Sequence, residues 1–434
     1  MSYDPQAVDL NEAIRSVNPH VFNMFSDRGK SIFFPKKGIL SQSAEAKGTK
    51  INGTIGTALE DDGSPMVLKS LSTLMNLKNN EAFSYAPSFG RPEIRTIWKE
   101  TILKKNPLLQ GKNFSLPVVT SALTHGLSMA GYLFVNEGDE IISPDLYWEN
   151  YDLVFSNAYG ASLTLFPTFV KNVSFNTEGL KATMESSKSS KKIVILNFPN
   201  NPTGYTITEN EAIEIKNILV DSAAKGNEIV VLIDDAYFGL VYEQGIFKES
   251  IFSYLADAHE NILAVKFDGP TKEDYVWGFR TGFVTFGCAK SSPAMYSALE
   301  SKIAGAIRGN ISNASNIGQS MLLTAYANAT YSEEKLVKYD ILKRRYEKIC
   351  QILQSHPEYQ QYFTALPFNS GYFMCVRIAS KNAENVRKTL IEKYSTGVIA
   401  QGEVIRVAFS SVPIDLLDTM FDNIYQASRD CHHG

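Results

Sequence analysis

One lysine of the sequence, Lys272, stands in a setting that could make its amine a chemical reagent. It ends a Gly-Pro-Thr-Lys turn at residues 269–272, and Arg280 follows eight residues later, before an apolar run. A lysine amine becomes nucleophilic near neutral pH when burial or a nearby cation lowers its pKa. An arginine close to it can bind a phosphate through its planar guanidinium. We therefore predict that Lys272 binds a cofactor as an imine and that Arg280 binds the cofactor's phosphate. Lys266, inside the preceding apolar run, is the rival anchor.

Two further polar motifs follow apolar runs of the kind that buried strands have. Residues 191–197 (KKIVILN) lead into Asn-Asn-Pro-Thr-Gly at 200–204, and residues 229–233 (IVVLI) lead into Asp-Asp-Ala-Tyr at 234–237. Open α/β sheets bind ligands at the carboxyl ends of their strands. The polar motifs are therefore expected to meet at one edge of a sheet.

The polar residues of these motifs allow a ligand-binding and a purely local interpretation. Asp234 and Asp235 should point to opposite faces if the strand continues through them. Asp234 could face a ligand, or it could be a turn or helix-capping residue. Asn201 could contact a ligand, or it could only form an Asx-Pro turn. The ordered occurrence of the motifs favours the ligand-binding interpretation for both.

A third segment could bind an anion at the start of a helix. A short predicted strand at 116–120 (LPVVT) leads through Ser121 into a helical run at 125–134. The free backbone N–H groups and the dipole of a helix N-terminus attract negative charge. The loop between strand and helix consists of Ala122, Leu123 and Thr124. Because it has no glycine, the signal is weak by itself, and most such turns bind nothing.

The elements that must position these residues alternate between apolar strands and amphipathic helices. This alternation predicts a mostly parallel sheet covered by helices on both faces. Thr208 and Glu211 form a capping-box pattern for a helix over 209–224. From Pro293 the pattern becomes predominantly helical, with strands of a smaller α+β domain further on. The predicted parts are an N-terminal arm that belongs with the small domain (1–50), a large cofactor-binding domain (51–320) and a small C-terminal domain (321–434).

The composition is that of a globular protein without a nucleic-acid or membrane partner. The 434 residues are 44% hydrophobic and 20% charged, with a net charge of −4. No apolar run approaches the roughly 20 residues that span a bilayer, and the N-terminus does not resemble a secretory signal. The four cysteines are scattered and the histidines lack metal-ligand spacing, so we predict neither a disulfide framework nor a metal site. The expected location is cytoplasmic.

Taken in order, the motifs at 200–204, 234–237 and 272–282 resemble those of class I/II aminotransferases, which are pyridoxal-phosphate enzymes of fold type I. The resemblance covers most of the chain, from about Ile51 to Phe409. It implies a large domain with a mostly parallel seven-stranded sheet between helices, and a smaller α+β domain. It also implies pyridoxal 5′-phosphate as the cofactor and a homodimer with shared active sites.

The resemblance implies a role for each polar residue of the motifs. Lys272 forms the imine and, once substrate displaces it, carries a proton between the substrate Cα and C4′ of the cofactor. Asp234 keeps the pyridine nitrogen of the cofactor protonated. Tyr237 and Asn201 donate hydrogen bonds to its phenolic oxygen. Lys272, Asp234 and Tyr237 are accordingly the expected catalytic residues.

Two tyrosines take positions that resemble aromatic cofactor contacts of the family. Tyr147 would stack on the cofactor ring, or it could be a core aromatic. Tyr85 would reach the phosphate in the partner subunit, or it could be a turn residue. The remaining expected cofactor contacts are Ala122, Leu123, Thr124, Gly269, Thr271 and Arg280. The sequence departs from the family where a glycine usually opens the 122–124 loop, and at Gly269, where many members have serine.

Recognition of a substrate's α-carboxylate requires a planar cation, because a guanidinium can donate two parallel hydrogen bonds to the two carboxylate oxygens. Arg406 stands where the family has that arginine, and Arg377 is the alternative. The resemblance also implies substrate contacts by Gly56 and Asn201. We therefore expect small-molecule substrates, an amino acid and a 2-oxo acid.

One arginine bears on the class of substrate. Residues 51–68 and 307–313 resemble segments of the aspartate and aromatic aminotransferase branch. In that branch the arginine of the second segment binds a distal carboxylate across the dimer, and here it is Arg308. A dicarboxylic substrate is the resulting hypothesis, aromatic substrates stay open, and Arg308 could instead be only a surface ion-pair residue.

The expected function is transfer of an amino group between an amino acid and a 2-oxo acid. The alternative is a pyridoxal-phosphate-dependent lyase that uses the same residues for β-elimination or decarboxylation. A non-catalytic relative that only binds ligand is a third possibility, which the complete set of reactive groups disfavours. A keto acid together with the pyridoxamine form of the cofactor would support transamination, whereas pyruvate with released ammonia and no pyridoxamine form would contradict it.

Overall fold

The structure is a computed structural model and describes residues 4–17, 19–25, 30–32, 39–72 and 77–432. Parts of the predicted N-terminal arm therefore lie outside the described residues. Within the described ranges, no helix has the length and apolar character that crossing a membrane requires.

A seven-stranded sheet forms the centre of the fold, as predicted. Its spatial order is β2-β10-β9-β8-β7-β3-β4, and only β10 runs against the other six strands. The strands are β2 (Val118–Thr120), β3 (Glu140–Pro144), β4 (Ser162–Phe166), β7 (Lys191–Asn197), β8 (Glu228–Asp234), β9 (Ile262–Asp268) and β10 (Gly282–Gly287). The mostly parallel α/β architecture is therefore confirmed.

The register of the central strands brings the polar motifs to one edge of the sheet. Strands β7 and β8 are almost wholly buried, as expected for near-continuous apolar runs in a parallel sheet. Asn197 at the end of β7 lies beside Asp234 at the end of β8, and Asp234 lies beside Phe267 of β9. The loops that follow these strands consequently open at the same place.

Helices pack around this sheet and along the C-terminal part of the chain. The predicted capping box is present, since Thr208 Oγ1 accepts from the Glu211 amide while the Glu211 carboxylate accepts from the Thr208 amide. The helices are α1 (Pro5–Val17), α2 (Pro19–Met24), α3 (Ile39–Glu45), α4 (Lys69–Ser72), α5 (Asn79–Ala82), α6 (Pro92–Lys105), α7 (Ala122–Phe134), α8 (Thr177–Ser186), α9 (Glu209–Ala224), α10 (Phe252–Leu255), α11 (Pro270–Glu273), α12 (Pro293–Asn310), α13 (Asn316–Tyr326), α14 (Tyr331–Ser355), α15 (Ala383–Tyr394) and α16 (Leu417–Asp430). Short 3₁₀ turns and one π-helical turn (Asp152–Asn157) connect some of them.

A second, antiparallel sheet lies in the C-terminal part, in the order β11-β12-β15-β14. Its strands are β11 (Phe363–Ala365), β12 (Met374–Ile378), β14 (Ile399–Gln401) and β15 (Val404–Val407), and short strand pairs are formed by β1 (Ile51–Asn52) with β13 (Thr396–Gly397) and by β5 (Phe169–Val170) with β6 (Ser174–Phe175).

The N-terminal segment packs against this C-terminal part. Gln42 exchanges two hydrogen bonds with the backbone of Ala400, and Gly53 exchanges backbone bonds with Gly397 and Ala408. The division at 51 and 321 remains a prediction, and residues 51–59 are hydrogen-bonded to the C-terminal part. This contact brings the N-terminal segment to the edge where the polar motifs meet.

Candidate active site

A cavity of about 440 Å³ opens at the carboxyl edge of the central sheet, between it and the C-terminal part. Eight of the predicted site residues line it: Gly56, Leu123, Thr124, Asn201, Asp234, Tyr237, Lys272 and Arg406. The other lining residues are Ile39, Ser43, Thr54, Ile55, Trp148, Asn197, Ala236 and Phe373. Residues distant in the sequence therefore converge on one cavity with an amine, a carboxylate and a guanidinium.

The turn that carries Lys272 forms the short helix α11, directly after β9. Lys272 Nζ lies 5.1 Å from the centre of the Tyr237 ring. The Tyr372 hydroxyl donates a hydrogen bond of 2.7 Å to the Lys272 carbonyl and fixes the backbone. Burial lowers the pKa of the Lys272 amine, the charge of Asp234 opposes this effect, and the charge of Arg280 adds to it. The lysine is therefore held in a setting that favours the nucleophilic free amine.

Asp234 is a buried carboxylate with two donors. Its Oδ2 accepts from the Tyr151 hydroxyl at 2.6 Å, and its Oδ1 accepts from the Ala236 amide at 3.2 Å. Burial raises the pKa of Asp234, whereas the Tyr151 bond and the charge of Lys272 work against that rise. The carboxylate can thus hold a protonated nitrogen of a ligand.

The neighbouring Asp235 points to the opposite side of β8 and meets Lys266. Lys266 Nζ forms ion pairs with Asp235 and Asp268, and the Ser250 hydroxyl donates to Asp235 at 2.5 Å. Burial lowers the pKa of the Lys266 amine, but the two carboxylates outweigh it and the net effect is a raised pKa. Lys266 is fully buried and does not line the cavity. The structure therefore places Lys272, and not the rival lysine, at the cavity.

Arg406 is a buried guanidinium on β15. Its Nη1 donates to Asn201 Oδ1 at 3.1 Å, its Nη2 donates to the Thr54 carbonyl at 3.4 Å, and its carbon lies 4.4 Å from the centre of the Phe373 ring. Its Nε has no partner among the described residues. Burial lowers the pKa of Arg406. A buried cation without a carboxylate partner is suited to an anionic ligand.

The rival arginine, Arg377, lies on β12 and faces outward. Its side chain is 42% exposed and lies 3.8 Å from Glu403. It does not line the cavity. Arg406 is therefore the arginine available to a ligand there.

The predicted anion loop lies at the start of α7, which begins at Ala122, earlier than the sequence pattern indicates. Ala122 has a φ of 62°, in the left-handed region that favours glycine, and the Thr120 hydroxyl donates to its carbonyl at 2.8 Å. A Cβ on Gly282 would lie 2.7 Å from the Ala122 carbonyl carbon. The loop and the start of β10 therefore touch through backbone, which leaves no room for a side chain between them.

Two other predicted cofactor residues flank Lys272 outside the lining of the cavity. Thr271 is buried, and its hydroxyl has no partner among the described residues. A Cβ on Gly269 would lie 3.0 Å from Gly282 Cα, so this position also depends on close backbone approach. Arg280 is exposed, has a φ of 49° and donates to the Trp277 carbonyl at 3.4 Å.

Three further predicted residues do not line the cavity of this chain, in addition to Ala122, Gly269, Thr271 and Arg280. The Tyr147 hydroxyl donates to Asp152 at 3.0 Å, and the adjacent Trp148 lines the cavity instead. Tyr85 is 90% exposed. Arg308 is exposed near the end of α12. Tyr85 and Arg308 therefore lie away from the ligand cavity of this chain.

Sequence reasoning missed several residues of the site. Trp148 and Tyr151 belong to the segment in which Tyr147 was predicted, and Tyr151 lies one helical turn after Tyr147, a spacing that could have indicated it. Thr54 and Phe373 carry no such signal, because they reach Arg406 only through contacts between distant segments.

A second cleft, of about 410 Å³, lies at the amino edge of the sheet, away from Lys272, Asp234 and Arg406. Two of its four lysines have polar partners: Lys192 Nζ donates to the carbonyls of Ser187 and Ser189, each at 3.0 Å, and Lys225 lies 3.6 Å from Glu185. The reactive groups are therefore concentrated in the 440 Å³ cavity at the carboxyl edge.

Comparison with known proteins finds one matching family and similar folds. The family model described as aminotransferase class I and II matches residues 49–424. The chain is 27% identical to an aspartate aminotransferase of Bacillus sp. (strain YM-2) over 250 residues, which cover 56% of this chain and 59% of that protein. It is 26% identical to a probable N-acetyl-LL-diaminopimelate aminotransferase of Bacillus subtilis (strain 168) over 276 residues, which cover 63% of this chain and 62% of that protein. The matches thus span about three fifths of each relative.

The fold matches a solved structure almost throughout. An aminotransferase from Anaerococcus prevotii superposes with a TM-score of 0.82 at 24% identity, covering 93% of this chain and 98% of that chain. The two chains therefore share their fold.

Proposed function

The chain belongs to the aminotransferase class I and II family, and from this premise we propose that it is a pyridoxal-phosphate-dependent aminotransferase. It moves an amino group between an amino acid and a 2-oxo acid. The observation that supports this proposal best is the meeting of Lys272, Asp234 and the buried Arg406 in one cavity. An amine, a carboxylate and a carboxylate-binding cation are the three groups that this chemistry requires.

The residues present fit pyridoxal 5′-phosphate. Lys272 supplies an amine whose pKa is lowered by burial, and Asp234 supplies a buried carboxylate for the ring nitrogen. The backbone at the start of α7, closed by Gly282, offers N–H groups for the phosphate, and Arg280 lies close enough to Lys272 for its charge to lower the pKa of that amine. Trp148, which lines the cavity, is the aromatic that we assign to the ring face. When bound, the cofactor supplies an electron sink for the substrate Cα.

The residues of the chain hold and move protons around that group. Asp234 keeps a proton on the ring nitrogen, and the Tyr151 hydrogen bond favours the ionised carboxylate that this task requires. With the cofactor bound, the Lys272 amine would be the group that removes a proton from the substrate Cα and returns it at C4′. Tyr237 and Asn201 line the cavity beside Lys272 and orient the ring through its phenolic oxygen.

Arg406 binds the α-carboxylate of the substrate. Its Nη groups contact only a neutral amide and a backbone carbonyl, and its Nε is unpartnered among the described residues. A carboxylate that replaces these weak acceptors gains charge-assisted hydrogen bonds to a buried guanidinium. An apolar surface of the cavity near Arg406 is formed by Ile39, Ile55 and Phe373. The cavity can therefore accept a substrate with an aromatic side chain as well as one with a second carboxylate.

We further propose a homodimer in which each subunit completes the site of the other. Tyr85 and Arg308 are exposed in this chain, so both are available to a partner. In that arrangement Arg308 binds a distal carboxylate, and Tyr85 binds the cofactor phosphate. A cytoplasmic location is also proposed, supported by four cysteines that form no disulfide.

The test is a panel of amino donors with 2-oxoglutarate as acceptor, followed by keto-acid formation and by the absorbance of the protein-bound cofactor. We expect keto acid from at least one donor, and loss of both product and bound-cofactor absorbance in Lys272→Ala. The surface variant Lys302→Ala, on α12, serves as a control. Release of ammonia with pyruvate, and no amino transfer to 2-oxoglutarate, would support the lyase alternative instead. The family match does not favour that alternative.

A further inference from the structure

A cluster of four charged side chains, two buried carboxylates and two partly exposed lysines, adjoins the turn that carries Lys272. It consists of Glu273 and Asp274, which follow Lys272 in the sequence, and the amines of Lys105 and Lys335. Lys105 Nζ lies 2.6 Å from Glu273, and Lys335 Nζ lies 2.8 Å from both Glu273 and Asp274. We call these four residues the ion cluster. Lys335 is the member that joins both carboxylates.

Two tyrosines complete the hydrogen bonding of Asp274. The Tyr331 hydroxyl donates to Oδ1 at 2.6 Å, and the Tyr326 hydroxyl donates to Oδ2 at 3.0 Å. The Asp274 side chain is only 1% exposed. A buried carboxylate with a cation and two hydroxyl donors is held in one orientation, because each donor would lose its partner if the side chain moved.

The charges of the ion cluster balance. Burial would raise the pKa of Glu273, but the two lysine amines outweigh it and hold that pKa at about 2. Burial would also lower the pKa of Lys335, yet the two carboxylates raise it above its ordinary value. Removal of Lys335 leaves the two buried carboxylates with one cation fewer, which favours a rearrangement of the turn that carries them.

The ion cluster connects the turn that carries Lys272 to helices that are distant from it in the sequence. Lys105 ends α6, Tyr326 ends α13, and Lys335 lies on α14. On the other side of the same turn, the Tyr372 hydroxyl holds the Lys272 carbonyl. The backbone of Lys272 is therefore fixed between these contacts, while its side chain is left to the cavity.

We propose that Lys335, through Glu273 and Asp274, is a positioning residue for the Lys272 amine. The inference rests on the proposed role of Lys272 as the cofactor-binding lysine. A lysine that must attack a carbonyl and later move a proton between two carbon atoms depends on placement, and an error of about 1 Å can cost on the order of 100-fold in rate. Lys335 touches neither cofactor nor substrate in this scheme and acts only through the turn.

The alternative is that the ion cluster only stabilises the fold. The two roles predict different values of kcat for a variant that still folds. A purely stabilising contact leaves kcat per folded molecule unchanged, whereas a positioning contact lowers it. Because Arg406 lies outside the ion cluster, loss of positioning should lower kcat with little change in KM for the amino donor.

The experiment compares purified holoenzyme variants at matched folded fraction. Lys335→Met removes the charge, Lys335→Arg restores a cation, and Lys343→Met removes an exposed lysine from an ion pair with Glu347 on the same helix. The double variant Lys335→Met/Asp274→Asn removes one charge of each sign and keeps the interior balanced, so that a folded protein is available if the single variant does not fold. The readouts are kcat, KM and the fraction of Lys272 that borohydride links to pyridoxal phosphate, measured by peptide mass spectrometry.

We expect Lys335→Met and the double variant to lose about tenfold or more in kcat and to show less linkage at Lys272 at limiting cofactor. Lys335→Arg should recover most of both, and Lys343→Met should match the unmodified protein. Unchanged kcat and linkage in a folded Lys335→Met or double variant would overturn the positioning role. If borohydride fails to mark Lys272 in the unmodified protein, the proposed function fails first, which separates the two outcomes.

Discussion

The Tyr151 hydroxyl lies 2.6 Å from the Oδ2 atom of Asp234, and both side chains are buried. Tyr151 comes from the segment after β3, and Asp234 ends β8, so the bond joins two crossover units of the sheet at the edge of the cavity. A donated hydrogen bond favours the ionised carboxylate against the effect of burial. Tyr151 thus controls the group proposed to hold the cofactor nitrogen.

Tyr151→Phe is expected to lower kcat about tenfold, because a hydrogen bond to a charged group contributes on the order of 1.5–3 kcal/mol. Without the donor the pKa of Asp234 rises further, so the acid limb of the kcat–pH profile should move to higher pH. The measurement is kcat across the pH range. Tyr394→Phe loses an exposed tyrosine–aspartate bond of 3.2 Å to Asp430, outside the cavity, and is the control. An acid limb that does not move would contradict the proposed link.

Trp148→Leu and Tyr147→Leu separate two candidates for the aromatic that covers the cofactor ring. Trp148 lines the cavity, whereas Tyr147 is bonded to Asp152, so Trp148→Leu should weaken cofactor binding more, by about tenfold. Titration of the apoprotein with pyridoxal phosphate gives both dissociation constants. A larger loss in Tyr147→Leu would return the role to the residue that the sequence indicates.

Arg406→Gln should raise KM for every amino donor and lower kcat/KM about 100-fold, because a buried carboxylate would lose its charged partner. Steady-state kinetics with two chemically different donors measures the effect. The exposed Arg377→Gln on the same sheet is the matched control and should remain close to the unmodified enzyme. Similar losses in both variants would indicate a general effect on the sheet rather than on substrate binding.

Arg308→Ala tests the dicarboxylic hypothesis. If the arginine of one subunit binds a distal carboxylate in the other, kcat/KM for aspartate or glutamate should fall about 100-fold while an aromatic donor is spared. The ratio of the two kcat/KM values is the measurement, and Lys302→Ala on the same helix is the control. Equal activity of Arg308→Ala with dicarboxylic donors would remove that hypothesis, and a monomer in solution would remove the shared site.

Glu273→Gln predicts a pH dependence of stability. The pKa of Glu273 is held at about 2 in the folded protein, below its ordinary value of 4.5, by the lysines Lys105 and Lys335. The stabilisation by its charge is therefore complete above the unfolded pKa and is lost as the pH falls from there towards the folded pKa. Urea unfolding should show a deficit of up to about 3 kcal/mol in Glu273→Gln near neutral pH and a smaller deficit in acid.

The control for this titration is Glu347→Gln, which removes an exposed carboxylate paired with Lys343. Exposed pairs contribute on the order of 0–1 kcal/mol, so its deficit should be small at every pH. A Glu273→Gln deficit that stays constant into acid would show that packing, and not charge, is what Glu273 contributes.

The sequence by itself determined the strands, their parallel arrangement and the polar motifs at their ends. The run 191–197 forms a buried strand with those bounds, and the capping box at Thr208 starts the helix that was predicted from it. These features are local, because strand burial and helix capping are set by residues within a few positions of each other. The order of the motifs, together with the rule that open α/β sheets bind ligands at the carboxyl ends of their strands, was therefore sufficient to place Asp234 and Lys272 at the carboxyl edge of the sheet.

The tertiary structure decided which neighbours these residues meet. Whether Tyr147 or Trp148 faces the cavity depends on how the chain turns after β3, and adjacent residues of that segment differ in outcome. The contact of Lys335 with Glu273 and Asp274, and that of Thr54 with Arg406, join segments far apart in the chain. Such pairings follow from the packing of whole elements against each other, which no local spacing encodes.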